Sequence, residues 1–155
     1  MRRRAFLALV GALTATWPLR AQPQLGQRMR RIGVLMNIAA DDALGNARLA
    51  TFVRALVELG WTEGRNLQID VRWGGGDADR YRQYATELVA LAPDAIFASS
   101  GATMPALMQA TKSVPIVFVQ VPDPVGSGFV ASLGRPGGNA TGFTQFEFGL
   151  SSKWL

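Results

Sequence analysis

Whatever chemistry this chain performs is done without histidine or cysteine, because its 155 residues contain neither. That removes Ser-His dyads, cysteine nucleophiles and histidine metal sites. Carboxylates, hydroxyls and backbone amides remain. Three aspartates stand in loop contexts: Asp41 and Asp42 after a first apolar run, and Asp123 between Pro122 and Pro124. An exported carboxylate-dependent hydrolase would draw on these three. Asp beside Gly or Pro more commonly caps a turn or a helix, so no catalytic residue and no metal ligand is expected. Asp41-Asp42 also has the look of a phosphoreceiver acidic pair. That reading fails because the third apolar run ends in Ser99 rather than an aspartate, and Lys112 and Lys153 are the only lysines. No lysine follows Gly74-Gly75-Gly76, which reads as a turn and not a phosphate cradle. No cofactor is expected.

Binding makes smaller demands than catalysis. Ser99, Ser100 and Thr103 offer hydroxyls, and the amides of Gly101, Ala102 and Thr103 lie near the start of a helix, where a carboxylate is well received. Asp123 offers a charge for an ammonium group, while Asn37 and Gln120 stand at the ends of apolar runs. Together these residues complement a zwitterion. The competing reading is that Ser99 and Ser100 cap the helix that follows them, and that Phe143 belongs to the core.

The elements that would bring these residues together are legible from periodicity. Arg31–Met36 is an apolar run ending at Asn37 and reads as a first strand. Leu49, Phe52, Val53 and Leu56 recur at helical spacing from Asn46 onward, with Arg48, Thr51, Arg54 and Glu58 facing water. Gly60 closes that helix and Trp61 packs back on it. Leu67–Trp73 alternates as an edge strand, with one face buried and one wet. Asp77 caps a second helix with a stripe of Tyr81, Tyr84, Ala85, Leu88 and Val89, which Pro93 ends. Asp94–Ala98 is a third strand, Met104–Lys112 a third helix, and Ile116–Val119 a strand buried on both faces. Phe129–Leu133 allows one helical turn, and Thr141–Thr144 a last short strand. Alternating strands and helices predict an α/β fold: a Rossmann-like, doubly wound parallel sheet with right-handed crossovers. Its strand ends would gather Asn37, Ser99 to Thr103, Gln120 and Asp123 around one crevice.

The run from Pro115 to Gly142 carries more than periodicity. Its Asp123-Pro-Val-Gly, Val130-Ala-Ser-Leu, Arg135-Pro-Gly-Gly-Asn and Thr141-Gly-Phe-Thr segments resemble the signature of a bacterial family of ABC-transporter solute-binding proteins. The likeness extends back through Glu58-Leu-Gly-Trp-Thr-Glu-Gly-Arg-Asn and Trp73-Gly-Gly-Gly-Asp-Ala-Asp-Arg. What the resemblance implies is the first lobe of a type I periplasmic binding protein, which binds a small solute, in some members an amino acid, and hands it to the transporter permease.

The N-terminus has the parts of an export signal: Arg2-Arg3-Arg4, an apolar run from Ala5 to Ala15, and Leu19-Arg20-Ala21 before Gln22. Arg3-Arg4-Ala5-Phe6-Leu7 also resembles a twin-arginine signal, so either export route fits. Four of the five formal positive charges, those of Arg2, Arg3, Arg4 and Arg20, fall in this leader, leaving +1. No basic stripe remains for nucleic acid. The expected division is residues 1–21 as export signal, 22–30 as polar linker, 31–145 as the solute-binding lobe and 146–155 as the start of a crossover toward a second lobe. A periplasmic location follows. A lobe without its complement is expected to leave apolar surface uncovered and to self-associate.

Overall fold

The structure is a computed structural model that describes residues 28–144. The expected export signal, most of the expected linker and the expected crossover segment lie outside the described residues. Five strands and three helices alternate: β1 (Arg30–Met36), α1 (Ala43–Glu58), β2 (Leu67–Trp73), α2 (Ala78–Ala90), β3 (Ala95–Ala98), a 3-10 turn (Gly101–Thr103), α3 (Met104–Ala110), β4 (Ile116–Phe118) and β5 (Ala140–Gly142). All pairings are parallel, in the order β2-β1-β3-β4-β5. The chain thus winds one way from β1 and then the other way. That is the doubly wound sheet the alternation predicts, with its switch between β1 and β3.

Local signals set the helix ends. The Asp42 carboxylate accepts from the Gly45 amide at 2.8 Å and starts α1. At the other end Gly60, at φ 89°, returns the chain so that Trp61 N–H reaches Leu56 O and Gly60 N–H reaches Val57 O. This is the paired-bond stop that a left-handed glycine permits. Asp77 starts α2 by accepting from the amides of Asp79 and Arg80. Those two amides hold its carboxyl below the usual range.

The two faces of the sheet are covered unequally. On one, Leu35, Ile96, Ala98, Ile116 and Phe118 pack under Tyr81, Ala85 and Leu88 of α2 and Met104 and Leu107 of α3, forming the buried core. Gly33 fits beneath Leu88, where an added Cβ would stand 3.2 Å from its side chain. The other face carries α1 among the described residues, and Gly45 is the one residue of α1 that is buried. Phe52 stacks on Phe97 of β3 at a ring separation of 4.5 Å, but Leu49, Val53 and Leu56 stay half-buried.

Several expectations shift. No helix forms over Phe129–Leu133; a single helical turn forms earlier, over Pro124–Gly128. Asp123 starts it through its bond to the Gly126 amide at 2.8 Å, and Gly128, at φ 71°, ends it with the same paired bonds seen at Gly60. β5 begins at Ala140 rather than Thr141. α3 ends at Ala110, two residues short of Lys112, and its expected leading loop is partly 3-10. Phe143, expected in the core, is 73% exposed. β2 does not divide into a buried and a wet face. Its polar side chains are half-buried because Arg31 bonds Gln68 and approaches Asp70 at 3.4 Å, while Arg72 pairs with Glu87 of α2 at 2.8 Å.

Candidate solute-binding crevice

The loops that follow β1, β2 and β3 border an open crevice of about 470 Å³ lined by Asn37, Ala39, Asp42, Gly75, Tyr81 and Ala102, among others. Its frame is built from the backbone outward. Gly74, Gly75 and Gly76 donate their amides to the carbonyls of Met36, Ile38 and Asn37, which clamps the β2–α2 turn against the end of β1. Gly74 has to be glycine: an added Cβ would meet the Tyr81 ring at 2.2 Å. Tyr81 then donates its hydroxyl to the Asn37 carbonyl at 2.8 Å. Burial pushes the phenol above its ordinary value, so it remains a protonated donor.

Asn37 is held from its other side by Ser99. The Ser99 hydroxyl, 6% exposed, accepts from the Asn37 amide at 2.8 Å and donates to Asn37 Oδ1 at 3.0 Å. With Oδ1 so engaged, the donor Nδ2 is the polar group of the Asn37 side chain left at the crevice lining. A donor fixed in this way, its rotamer already chosen by a buried partner, is suited to a carboxylate.

The remaining residues of the expected set divide. Ser100 accepts from the Ala102 amide at 3.2 Å and starts the 3-10 turn; Thr103 is fully buried and donates its hydroxyl to Ser100 O at 2.8 Å. The amides of Ala102 and Thr103 are therefore already bonded to Ser100. Of this loop, Ala102 lines the cavity and Gly101 adjoins it in sequence. Gln120 lies apart, in a second groove of about 510 Å³ between α1 and the sheet, lined by Met36, Leu44, Phe52, Phe97, Ser99 and Val119 among others. There it takes the left-handed conformation, φ 55°, and accepts from Arg48 Nη1 at 3.1 Å. Asp123 lines neither cavity. Its carboxylate is committed to the Gly126 amide, and an added Cβ at Gly126 would meet Asp123 Oδ2 at 2.1 Å, which accounts for the Asp-Pro-Val-Gly sequence as a self-contained turn.

Arg48 faces water, as its position on α1 predicts, but nothing in its neighbours' types signals its contact with Gln120, 72 residues away. The aspartates proposed for hydrolysis also find structural work, Asp42 as the cap of α1 and Asp123 as the cap of its turn.

A sequence model of the ABC transporter substrate binding protein family matches residues 31–148. The chain belongs to that family. It is 36% identical over 120 residues to a tyrosine-binding protein of Clostridioides difficile, an alignment covering 77% of this chain and 34% of that protein. Among solved structures it resembles a ligand-free, open substrate-binding protein with adhesive properties from Clostridium difficile, at TM-score 0.69 and 33% identity over 77% of this chain and 40% of that one. It also resembles a domain from Streptococcus pneumonia in complex with L-Trp, at TM-score 0.67 and 28% identity over 75% of this chain and 38% of that one. The chain thus spans about a third to two fifths of the length of these relatives.

Proposed function

We propose that this chain is the first lobe of an exported solute-binding protein, which captures an L-amino acid and delivers it to the permease of an ABC transporter. The leader at residues 1–21 would direct it out of the cytoplasm, to the periplasm. The observation that supports the reading is the Ser99–Asn37 pair at the crevice by the switch point of the sheet, in which Ser99 engages Asn37 Oδ1 and the amide Nδ2 would be left to donate to a solute. Asn37 and the Gly101 amide would receive the α-carboxylate and Ser99 and Ser100 would hold them in place, while Gln120, in the neighbouring groove, and Asp123, committed to its own turn, would stand outside this contact. The tyrosine-binding relative and the structure with bound L-Trp favour an aromatic side chain on the solute. The family is one of binding proteins, which supports capture without turnover.

A first lobe by itself would carry one wall of such a site. Its affinity is expected to lie about a hundredfold below that of a longer relative, a difference of about 3 kcal/mol, because a two-lobed protein gains contacts on closing. Thermal-shift measurements with a panel of L-amino acids at millimolar concentration, followed by calorimetry on any hit, test the reading. Tyrosine or tryptophan should raise the melting temperature and be recovered unchanged. Asn37→Asp, which retains the backbone bonds but turns the donor into a charge repelling carboxylate, should abolish the shift. A fully folded chain that responds to no amino acid, or that consumes one, overturns it.

A further inference from the structure

Among the described residues, Asn37 is bonded at each of its polar atoms except Nδ2, and its partners come from separate segments of the chain. Its amide donates to Ser99 Oγ at 2.8 Å, and its Oδ1 accepts from the same hydroxyl at 3.0 Å, just past the end of β3. Its carbonyl accepts from the Gly76 amide and from the Tyr81 hydroxyl, each at 2.8 Å. That occupies both lone pairs of the carbonyl oxygen. Packing accounts for the Tyr81 ring, which is 5% exposed, belongs to the core and fills the space that Gly74 leaves open. It does not account for the hydroxyl. Phenylalanine would fill the same volume, and the carbonyl already has the Gly76 amide as a partner.

We propose that the Tyr81 hydroxyl is a positioning group for solute binding, which acts through Asn37 to set how strongly the crevice prefers a carboxylate. The proposal rests on the reading of the crevice as a carboxylate site. A carbonyl bonded to one donor can tilt about that bond, whereas two donors, one from the β2–α2 turn and one from α2, fix the peptide plane that follows Asn37. Ser99 fixes the side chain from the other direction. The Nδ2 donor then has little backbone or rotamer freedom left to lose when a carboxylate binds, which is how a supporting shell raises affinity without touching the ligand. Tyr84, three residues further along α2, packs against the same core and serves as the control.

Nuclear magnetic resonance titration of the chain with L-tryptophan and with tryptamine, which keeps the indole and the ammonium but lacks the carboxylate, reads the preference as a ratio of two affinities. The unmodified chain should prefer L-tryptophan. Tyr81→Phe keeps the ring and so the core, and should reduce that preference about fivefold, the worth of one hydrogen bond, by weakening L-tryptophan and leaving tryptamine unchanged. Tyr84→Phe should leave the ratio as it was. Ser99→Ala loosens the same residue, so in the double variant its loss and that of Tyr81→Phe should fall short of multiplying. A Tyr81→Phe chain that melts lower but keeps the ratio assigns the hydroxyl to stability alone, which overturns the proposal and leaves the crevice reading intact. Losses that multiply overturn it as well, since the two groups would then act separately. An unmodified chain with no preference for L-tryptophan removes the crevice reading and the proposal together.

Discussion

Asp94 fastens two strand entries with one carboxylate. It accepts from the Arg31 amide at 2.9 Å and from Arg30 Nη1 at 2.7 Å, with Arg28 3.8 Å away. These contacts, the Arg31 amide foremost, hold its carboxyl below the usual range, as the guanidinium of Arg72 does for Glu87. A carboxyl lowered in the folded state contributes stability that is present above its unfolded value near 4 and is lost as pH falls through the folded value. The melting temperature should therefore be level from pH 7 to 5 and decline below about pH 4. Asp94→Asn should flatten that decline and cost about 1 kcal/mol at pH 7, since an amide replaces a charge-assisted acceptor. Thermal melts across pH 3–7 check both; a decline as steep in Asp94→Asn as in the unmodified chain would show that Asp94 is not the group responsible.

At the level of the elements, the glycines and aspartates of the sequence divide into those that aim the crevice and those that close the sheet. Gly142 belongs to the second group, because an added Cβ there would stand 2.0 Å from the Phe118 carbonyl oxygen as well as against its ring. Gly142→Ala should push β5 off β4 and cost about 2 kcal/mol or more; a chemical-denaturation midpoint within error of the parent would refute this account of the close approach. Near it, Asn139 Nδ2 donates to Val114 O at 2.7 Å and ties the Arg135-Pro-Gly-Gly-Asn loop to the entry of β4, so much of the family's signature serves as scaffold. That division explains what could be read from sequence. Caps such as Asp77, Gly60 and Asp123 act on neighbours within a few residues, and their types declare them. The extents of β1, β2 and α2 followed from such signals. Phe129–Leu133 was misjudged because its apolar spacing imitates a helix, while the Asp123-Pro124 start and the Gly128 stop complete the turn before it. Asn37 and Ser99 were legible as strand-end residues, although their bond to each other was not. The Arg48–Gln120 contact and the exposure of Phe143 were not legible, because they depend on how distant elements meet, and no local pattern encodes that.

Across the whole molecule, the half-covered face has a dynamic counterpart. α2 and α3 are anchored by fully buried Leu88, Met104 and Leu107, whereas α1 is fixed by its two end caps, one ring stack and a half-buried stripe. Segments with few buried contacts open locally at a free-energy cost well below that of global unfolding. Backbone amides across Ala47–Glu58 should therefore exchange with deuterium at least tenfold faster than those of Tyr81–Val89, and trypsin should cut first after Arg48 and Arg54. Equal protection in the two helices would contradict this. In such a chain the sheet and its α2–α3 face form the last unit to open, and α1 a flap that detaches and returns many times in the lifetime of the folded state, periodically leaving Met36, Phe97 and Val119 open to water.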